Sequence, residues 1–228
     1  MTEKFIKHAL IMAAGRGNRM RPLSDIVPKA MVPFKGGTLI SHGLDMLRHE
    51  VGSIHVTVGY KSAILSEYLM SEGNVASVLN TDGHNNSWWI YNTLMRYVDE
   101  PVLVLTCDNI TELDFQFINS EYLRLNNPAC MLVPVRPING IEGDYITSKH
   151  GFVTSLERSN PTDSYCSGIQ VLNPFKVATL TRGEDSFYTV WSQLMQVKEL
   201  KTATNYPKKW FSVDTLEQLA AHEEAASR

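Results

Sequence analysis

Residues 10–29, LIMAAGRGNRMRPLSDIVPK, constrain the fold more than any other stretch of the chain. The apolar run Ala9-Leu10-Ile11-Met12-Ala13 reads as a short buried strand. It breaks at once into Ala14-Gly15-Arg16-Gly17-Asn18-Arg19. Glycine has no Cβ and opens the left-handed region, so such a loop can bring bare N–H groups against an anion. Arg16, Arg19, Arg21 and Lys29 place four cations within fourteen positions, against the single acid Asp25. A strand ending in a cationic glycine loop predicts an open α/β sheet, with a polyphosphate cradled beyond its carboxyl edge.

The loop is neither of two familiar phosphate motifs. A P-loop requires Gly-x-x-x-x-Gly-Lys-Ser/Thr, which does not occur. A dinucleotide fingerprint would put a third glycine where this chain has Met20.

Farther on, residues 38–50 carry apolar side chains at Leu39, Ile40, Leu44 and Leu47, the spacing of one helical face. Residues 54–58 alternate as a strand, 61–71 read as a helix and 75–79 as a third strand. Residues 88–98 predict a helix with Trp88, Tyr91, Leu94, Met95 and Val98 on one face, packed into the core. A central strand over 101–106 ends on Cys107-Asp108-Asn109. This alternation calls for parallel strands with right-handed crossovers, and it puts Asp108 and the Gly15 loop on one crevice. The second half is less regular. Strands are expected over 129–135, 144–147, 152–157, 165–172 and 211–213, with helices over 184–198 and 216–225. No repeat or linker divides residues 1–228, so a single domain is expected, with a nucleotide half (1–110) and an acceptor half (111–228).

The string Ala13-Ala14-Gly15-x-Gly17-x-Arg19-Met20-x-Pro22, with Pro28-Lys29 ending ten residues after Arg19, resembles the signature of the sugar-phosphate nucleotidyltransferases. Family members of about this length include N-acetylmuramate 1-phosphate uridylyltransferases and phosphocholine cytidylyltransferases. The resemblance implies a Rossmann-like α/β fold of GT-A-like type, with a mixed, mostly parallel sheet flanked by helices. It also implies an enzyme that joins an NTP to a sugar 1-phosphate with Mg²⁺, releasing pyrophosphate, in nucleotide-sugar synthesis for cell-surface polysaccharide.

Carried over residue by residue, Arg19 would hold the β- and γ-phosphates and Lys29 the α-phosphate and acceptor phosphate. Arginine suits bidentate phosphate contact and lysine a point charge. Ala13, Ala14, Gly15, Gly17 and Asn18 would line the nucleotide, and Asn80 and Asn85 its base. Asp108 and Asp214 would be the Mg²⁺ ligands, since that ion takes one or two carboxylates plus substrate phosphates. Asp214 before Thr215 also suits a helix N-cap. Asn109, Glu157, Arg158 and Gly168 would face the acceptor. Two departures stand out: Cys107 replaces a glycine, and Leu156-Glu157-Arg158 stands where relatives have Glu-Lys-Pro. Alanine at position 14 leans toward a pyrimidine NTP. A CTP-dependent enzyme for phosphocholine stays open, with Trp88, Trp89, Tyr91 or Trp191 as an aromatic box. So does a silent nucleotide-binding subunit, although Arg19, Lys29 and both aspartates are all retained.

The formal charge of −3, with 20% charged residues, gives no basic footprint for nucleic acid or a membrane surface. The partners expected are therefore small: an NTP and a phosphorylated acceptor, with a homo-oligomer possible. Cys107, Cys130 and Cys166 are widely spaced and odd in number, which points to a reducing, cytoplasmic setting. The first residues have no long apolar core, so no signal peptide is expected, and no run of 18 apolar residues occurs to predict a membrane span.

Overall fold

In the computed structural model, which describes residues 5–138, 143–204, 207 and 209–224, the apolar run forms β1 (His8–Met12), its three central residues buried. After the loop come α1 (Leu23–Ile26), then a small hairpin of β2 (Pro33–Phe34) and β3 (Gly37–Thr38). Thr38 caps α2 (Leu39–Leu47) in a capping box with Ser41, so the predicted helical face starts one residue after its cap. β4 (Ser53–Val58), α3 (Ser62–Glu72), β5 (Ser77–Asn80), α4 (Trp88–Asn92) and β6 (Val102–Thr106) complete the first half. β1 pairs in parallel with β4 on one side and β6 on the other, along its whole length, and β5 extends the row.

The predicted helix over 88–98 is interrupted. Thr93 adopts an extended backbone (φ −126°, ψ 174°), and its hydroxyl donates to the Trp89 carbonyl at 2.7 Å while accepting from the Met95 amide. A side chain bonding its own backbone competes with the helix. A short 3-10 turn over Leu94–Tyr97 follows, and Leu94, expected to share the core face, is 83% exposed.

The second half comprises β7 (Asn109–Glu112), α5 (Phe115–Arg124), β8 (Cys130–Val135), β9 (Tyr145–Lys149) and β10 (Phe152–Glu157). It continues through β11 (Tyr165–Leu172), α6 (Pro174–Leu180), α7 (Phe187–Gln196), β12 (Leu200–Thr202), β13 (Lys209–Ser212) and α8 (Leu216–Glu224). β7, α5, α6 and β12 were not expected. The mixed sheet runs β5-β4-β1-β6-β11-β8-β12-β10-β9, with one further pair, Tyr165 with Tyr145, joining β9 back to β11. Parallel pairing belongs to the first four strands and to β8–β12, whereas β11 and the β9–β10 hairpin run antiparallel. This is the α/β sheet flanked by helices that the sequence implies.

One core fills each face of the sheet. The first gathers Ile11, Ile40, Leu44, Val56, Leu65, Ile118 and Tyr122; the second gathers Trp89, Ile90, Val177, Phe187, Trp191 and Leu194. Among the described residues, no helix is long and apolar enough to cross a membrane.

Candidate active site

A third, small core sets the site. Met20, Val32, Phe34, Leu39, Val213 and Leu219 pack together, all buried. Burying Met20 and Val213 in one cluster fixes the residues beside them, Arg19 and Asp214, against each other. Their charged groups meet at 3.0 Å. Met20, which spoils a dinucleotide fingerprint, is thus the anchor of the loop.

β7 and β13 form a two-stranded antiparallel ladder apart from the main sheet, with Ser212 opposite Asn109. The Val213 amide donates to the Asp108 carbonyl at 3.1 Å, and the Cys107 amide to Met12 at 3.0 Å. Asp108, at the carboxyl end of β6, therefore lies beside Asp214 and beyond β1. Lys29 closes the arrangement. Its ammonium donates to Asp108 Oδ2 at 2.5 Å and to Asp214 Oδ1 at 2.6 Å, and the residue is only 9% exposed. Ser212 Oγ donates to the other Asp214 oxygen at 3.0 Å.

Burial alone would lower the Lys29 pKa, but the charges of Asp108 and Asp214 outweigh it and raise it above the ordinary value. For Asp214 burial would act upward, but Lys29 and Arg19 hold its carboxyl below the usual range. Burial pushes the Cys107 thiol up to about 12, so it stays protonated and offers no nucleophile. The two carboxylates are hard oxygen donors already converging on one cation, a donor set that fits a divalent ion such as Mg²⁺.

The loop itself leaves donors available. Ala13 donates to the Thr57 carbonyl and hydroxyl, and the Tyr60 amide donates to Ala14. Among the described residues, the amides of Gly15, Arg16 and Gly17 make no intramolecular hydrogen bond. Gly17 has φ +64°, and a Cβ there would lie 2.7 Å from Lys29 Cβ, so the lysine stem packs on its bare Cα. A cavity of about 190 Å³ opens beside the loop, lined by Ala14, Gly15, Thr57, Thr81, Asn85 and Trp89 among others. Trp89 is among its lining, and its buried indole N–H has no hydrogen-bond partner among the described residues. A larger cavity of about 610 Å³, lined by Phe5, Lys7, Glu100 and Lys176, lies at the other end of β1 and β6, away from these charges.

The remaining expected residues fall unevenly. Asn85 lines the small cavity, while Asn80 is exposed and its side-chain Oδ1 accepts from the Asp82 amide in a local turn. Asn18 and Arg19 are exposed on the loop. Arg16 lies over the Tyr60 ring and Arg21 pairs with Asp25, so neither joins the carboxylates. Gly168, at φ +83°, lets β11 pass Thr106 near the end of β6.

The Asn109 amide is committed within the fold: it donates to Thr106 Oγ1 and the Ser167 carbonyl and accepts from the Trp210 indole at 2.6 Å. Arg158 approaches Asp144 at 3.6 Å, and Glu157 is exposed. Asp144, expected only as the start of a strand, is instead buried and accepts from the Tyr188 hydroxyl. The four aromatics considered as a box are dispersed. Trp88 stacks on His84, Trp89 lines the small cavity, Tyr91 bonds Thr181 and Trp191 stacks on Phe187. Lys209, on β13 near Asp214, pairs with Glu112 at 2.8 Å rather than with the carboxylates of the site.

Residues 8–138 match the family model described as "Nucleotidyl transferase". The chain is 30% identical over 149 residues to the N-acetylmuramate alpha-1-phosphate uridylyltransferase of Neisseria meningitidis, covering 60% of this chain and 63% of that protein. It is also 30% identical over 115 residues to the bifunctional protein GlmU of Methanocaldococcus jannaschii, covering 50% of this chain and 28% of that one. The chain thus spans under a third of the length of that longer relative. Its fold superimposes on the inositol-1-phosphate CTP transferase from T. maritima with a TM-score of 0.76 at 16% identity, over 97% of this chain and 96% of the other. With more than half of its length matched by the family model, the chain belongs to the nucleotidyl transferase family.

Proposed function

We propose that the chain is a Mg²⁺-dependent nucleotidyltransferase that joins a pyrimidine NTP to a sugar 1-phosphate and releases pyrophosphate, in the cytoplasm. The observation that carries this reading is the meeting of Lys29, Arg19, Asp108 and Asp214 at the mouth of the glycine loop. Attack of one phosphate on another requires mutual repulsion to be offset and the partners held in line. Arg19 and the amides of Gly15 to Gly17 would hold the leaving phosphates, and Lys29 the α-phosphate under attack. Asp108 and Asp214 would hold Mg²⁺, which neutralises charge on the phosphates when bound. The small cavity beside Asn85 and Thr81 is of a size for a single base. The similarity to a uridylyltransferase and Ala14 in the loop both favour a pyrimidine.

One observation favours a second acceptor. Tyr145, Tyr165 and Trp210 lie with ring centroids 5.8 and 6.1 Å apart, next to Asn109 and the buried Asp144. Aromatic faces beside a carboxylate suit a quaternary ammonium such as that of phosphocholine. Pyrophosphate release with Mg²⁺, screened over five NTPs against hexose 1-phosphates, their N-acetyl forms and phosphocholine, decides between them. Release with UTP, CTP or dTTP and a sugar 1-phosphate supports the first reading. Release with CTP and phosphocholine alone replaces it with the second. Absence of release with every pair overturns both.

A further inference from the structure

We propose that Lys29 is a built-in stand-in for the divalent cation: its ammonium holds the metal position between Asp108 and Asp214, and the ion enters only by displacing it. This rests on the reading of those aspartates as metal ligands. The ammonium touches one oxygen of each carboxylate, at 2.5 and 2.6 Å, and no other hydrogen-bond partner of Nζ is found among the described residues. It thus occupies carboxylate oxygens that an ion held by Asp108 and Asp214 would need. The Asp214 oxygen facing Lys29 is also the one that Arg19 reaches at 3.0 Å, while Ser212 holds the other. Two carboxylates against one ammonium and one guanidinium leave the cluster formally neutral, so a dication cannot simply be added to it. Repulsion between a dication and an ammonium a few ångströms away would drive the lysine out.

The Lys29 stem lies along Gly17, where the Cα is bare and a methyl group would stand 2.7 Å from Lys29 Cβ. An unbranched side chain pivoting over that glycine can carry its charge from the carboxylates toward the unbonded amides of the loop, where the phosphates would sit. The exchange therefore couples cation entry to delivery of the lysine onto the anionic substrate.

Two measurements on the nucleotide-free protein test this, neither reading turnover. First, Mn²⁺ binding is followed by water-proton relaxation for the wild type, Lys29→Met and Asp108→Asn. Lys29→Met should bind Mn²⁺ about tenfold tighter or more, because the competing charge is gone while the stem remains; Asp108→Asn should lose binding. Second, wild-type protein is pulse-labelled with acetic anhydride, with and without saturating Mn²⁺, and Lys29 acylation is read by peptide mass spectrometry against Lys61 and Lys201. Lys29 labelling should rise several-fold with Mn²⁺ while the reference lysines stay constant. Equal affinity of wild type and Lys29→Met, or unchanged Lys29 labelling at saturating Mn²⁺, overturns the exchange and leaves the carboxylates as metal ligands. Failure of every form to bind Mn²⁺ overturns the metal assignment and the exchange with it. The labelling arm needs no variant, so it stands if Lys29→Met does not fold.

Discussion

Gly15 and Gly17 stand two residues apart and meet different demands. Gly17 is internal to the machinery, left-handed and pressed on Lys29, whereas a Cβ at Gly15 would meet nothing within 4 Å and its backbone is not in the left-handed region. Gly17→Ala should therefore cost about 1–2 kcal/mol in thermal unfolding and displace the lysine, lowering turnover. Gly15→Ala should leave the melting temperature unchanged. Its effect should appear only as a raised KM for the NTP, since only a ligand would meet the added methyl. A drop in stability for Gly15→Ala would remove the cradle reading of its amide. Lys29→Ala and Asp108→Asn should each lower turnover by about a hundredfold or more, because they remove charge aimed at the reacting phosphates. Circular dichroism checks that the fold persists, and near-normal turnover in either variant contradicts its assigned role. Arg19, Lys29, Asp108 and Asp214 were named together through the resemblance carried by the loop and by the strand-end aspartates, and the fold brings their charged groups together. Asp144 and the inward commitment of Asn109 were not legible in the sequence, because both depend on partners on distant elements: Tyr188 on α7, and Trp210 on β13.

Elements were legible where their pattern is local. The buried run of β1, the capped face of α2 and the strands β10 and β11 follow from periodicity alone. The helix over 88–98 was overextended because periodicity does not register a hydroxyl that bonds its own backbone, as Thr93 does. β12 escaped because three residues carry no period, yet it is held by α5. Glu121 of that helix accepts from the amide and hydroxyl of Thr204, just past β12, each at 2.8 Å, and from Arg124. The Arg124 hydrogen bonds, against the opposing effect of burial and with help from Thr204, bring the Glu121 pKa down to about 2 from 4.5. A carboxylate with a depressed pKa stabilises the fold above its unfolded value, and that contribution fades as pH falls from 4.5 through about 2. Glu121→Gln should accordingly cost on the order of 2–3 kcal/mol at pH 7 in urea unfolding, with the difference from wild type closing near pH 2. A difference independent of pH would mean that packing rather than charge ties α5 to β12.

For the molecule as a whole, the alternation of elements called for the parallel strands of the first half, but no such pattern marked the arrangement of the second. Antiparallel β11 enters between β6 and β8, and the β7–β13 ladder pairs segments about a hundred residues apart, which no local signal records. The parallel edge also carries an acid sensitivity. His55 on β4 is buried, with His8 at 3.1 Å and Ser77 at 2.8 Å on its two ring nitrogens. Burial first, and the His8 charge second, lower its pKa to about 4 from 6.5. The fold thus favours neutral His55. Its contribution is complete above pH 6.5 and is lost as pH falls through about 4, a window above that of Glu121. His55→Gln should flatten the stability curve between pH 6.5 and 4, by up to about 3 kcal/mol across it, and leave the slope below pH 4 intact.

The ladder that carries Asp214 to Lys29 has a consequence for the timing of synthesis. The two residues are 185 positions apart, so a ribosome adding about 5–20 residues per second separates them by roughly ten to forty seconds. For the later part of that interval the emerging chain carries its glycine loop, Arg19, Lys29 and Asp108, while the second carboxylate, the one that Arg19 also meets, has yet to be made. The site is complete only once β13 has been made and has paired with β7, which brings Asp214 to join Asp108 on Lys29.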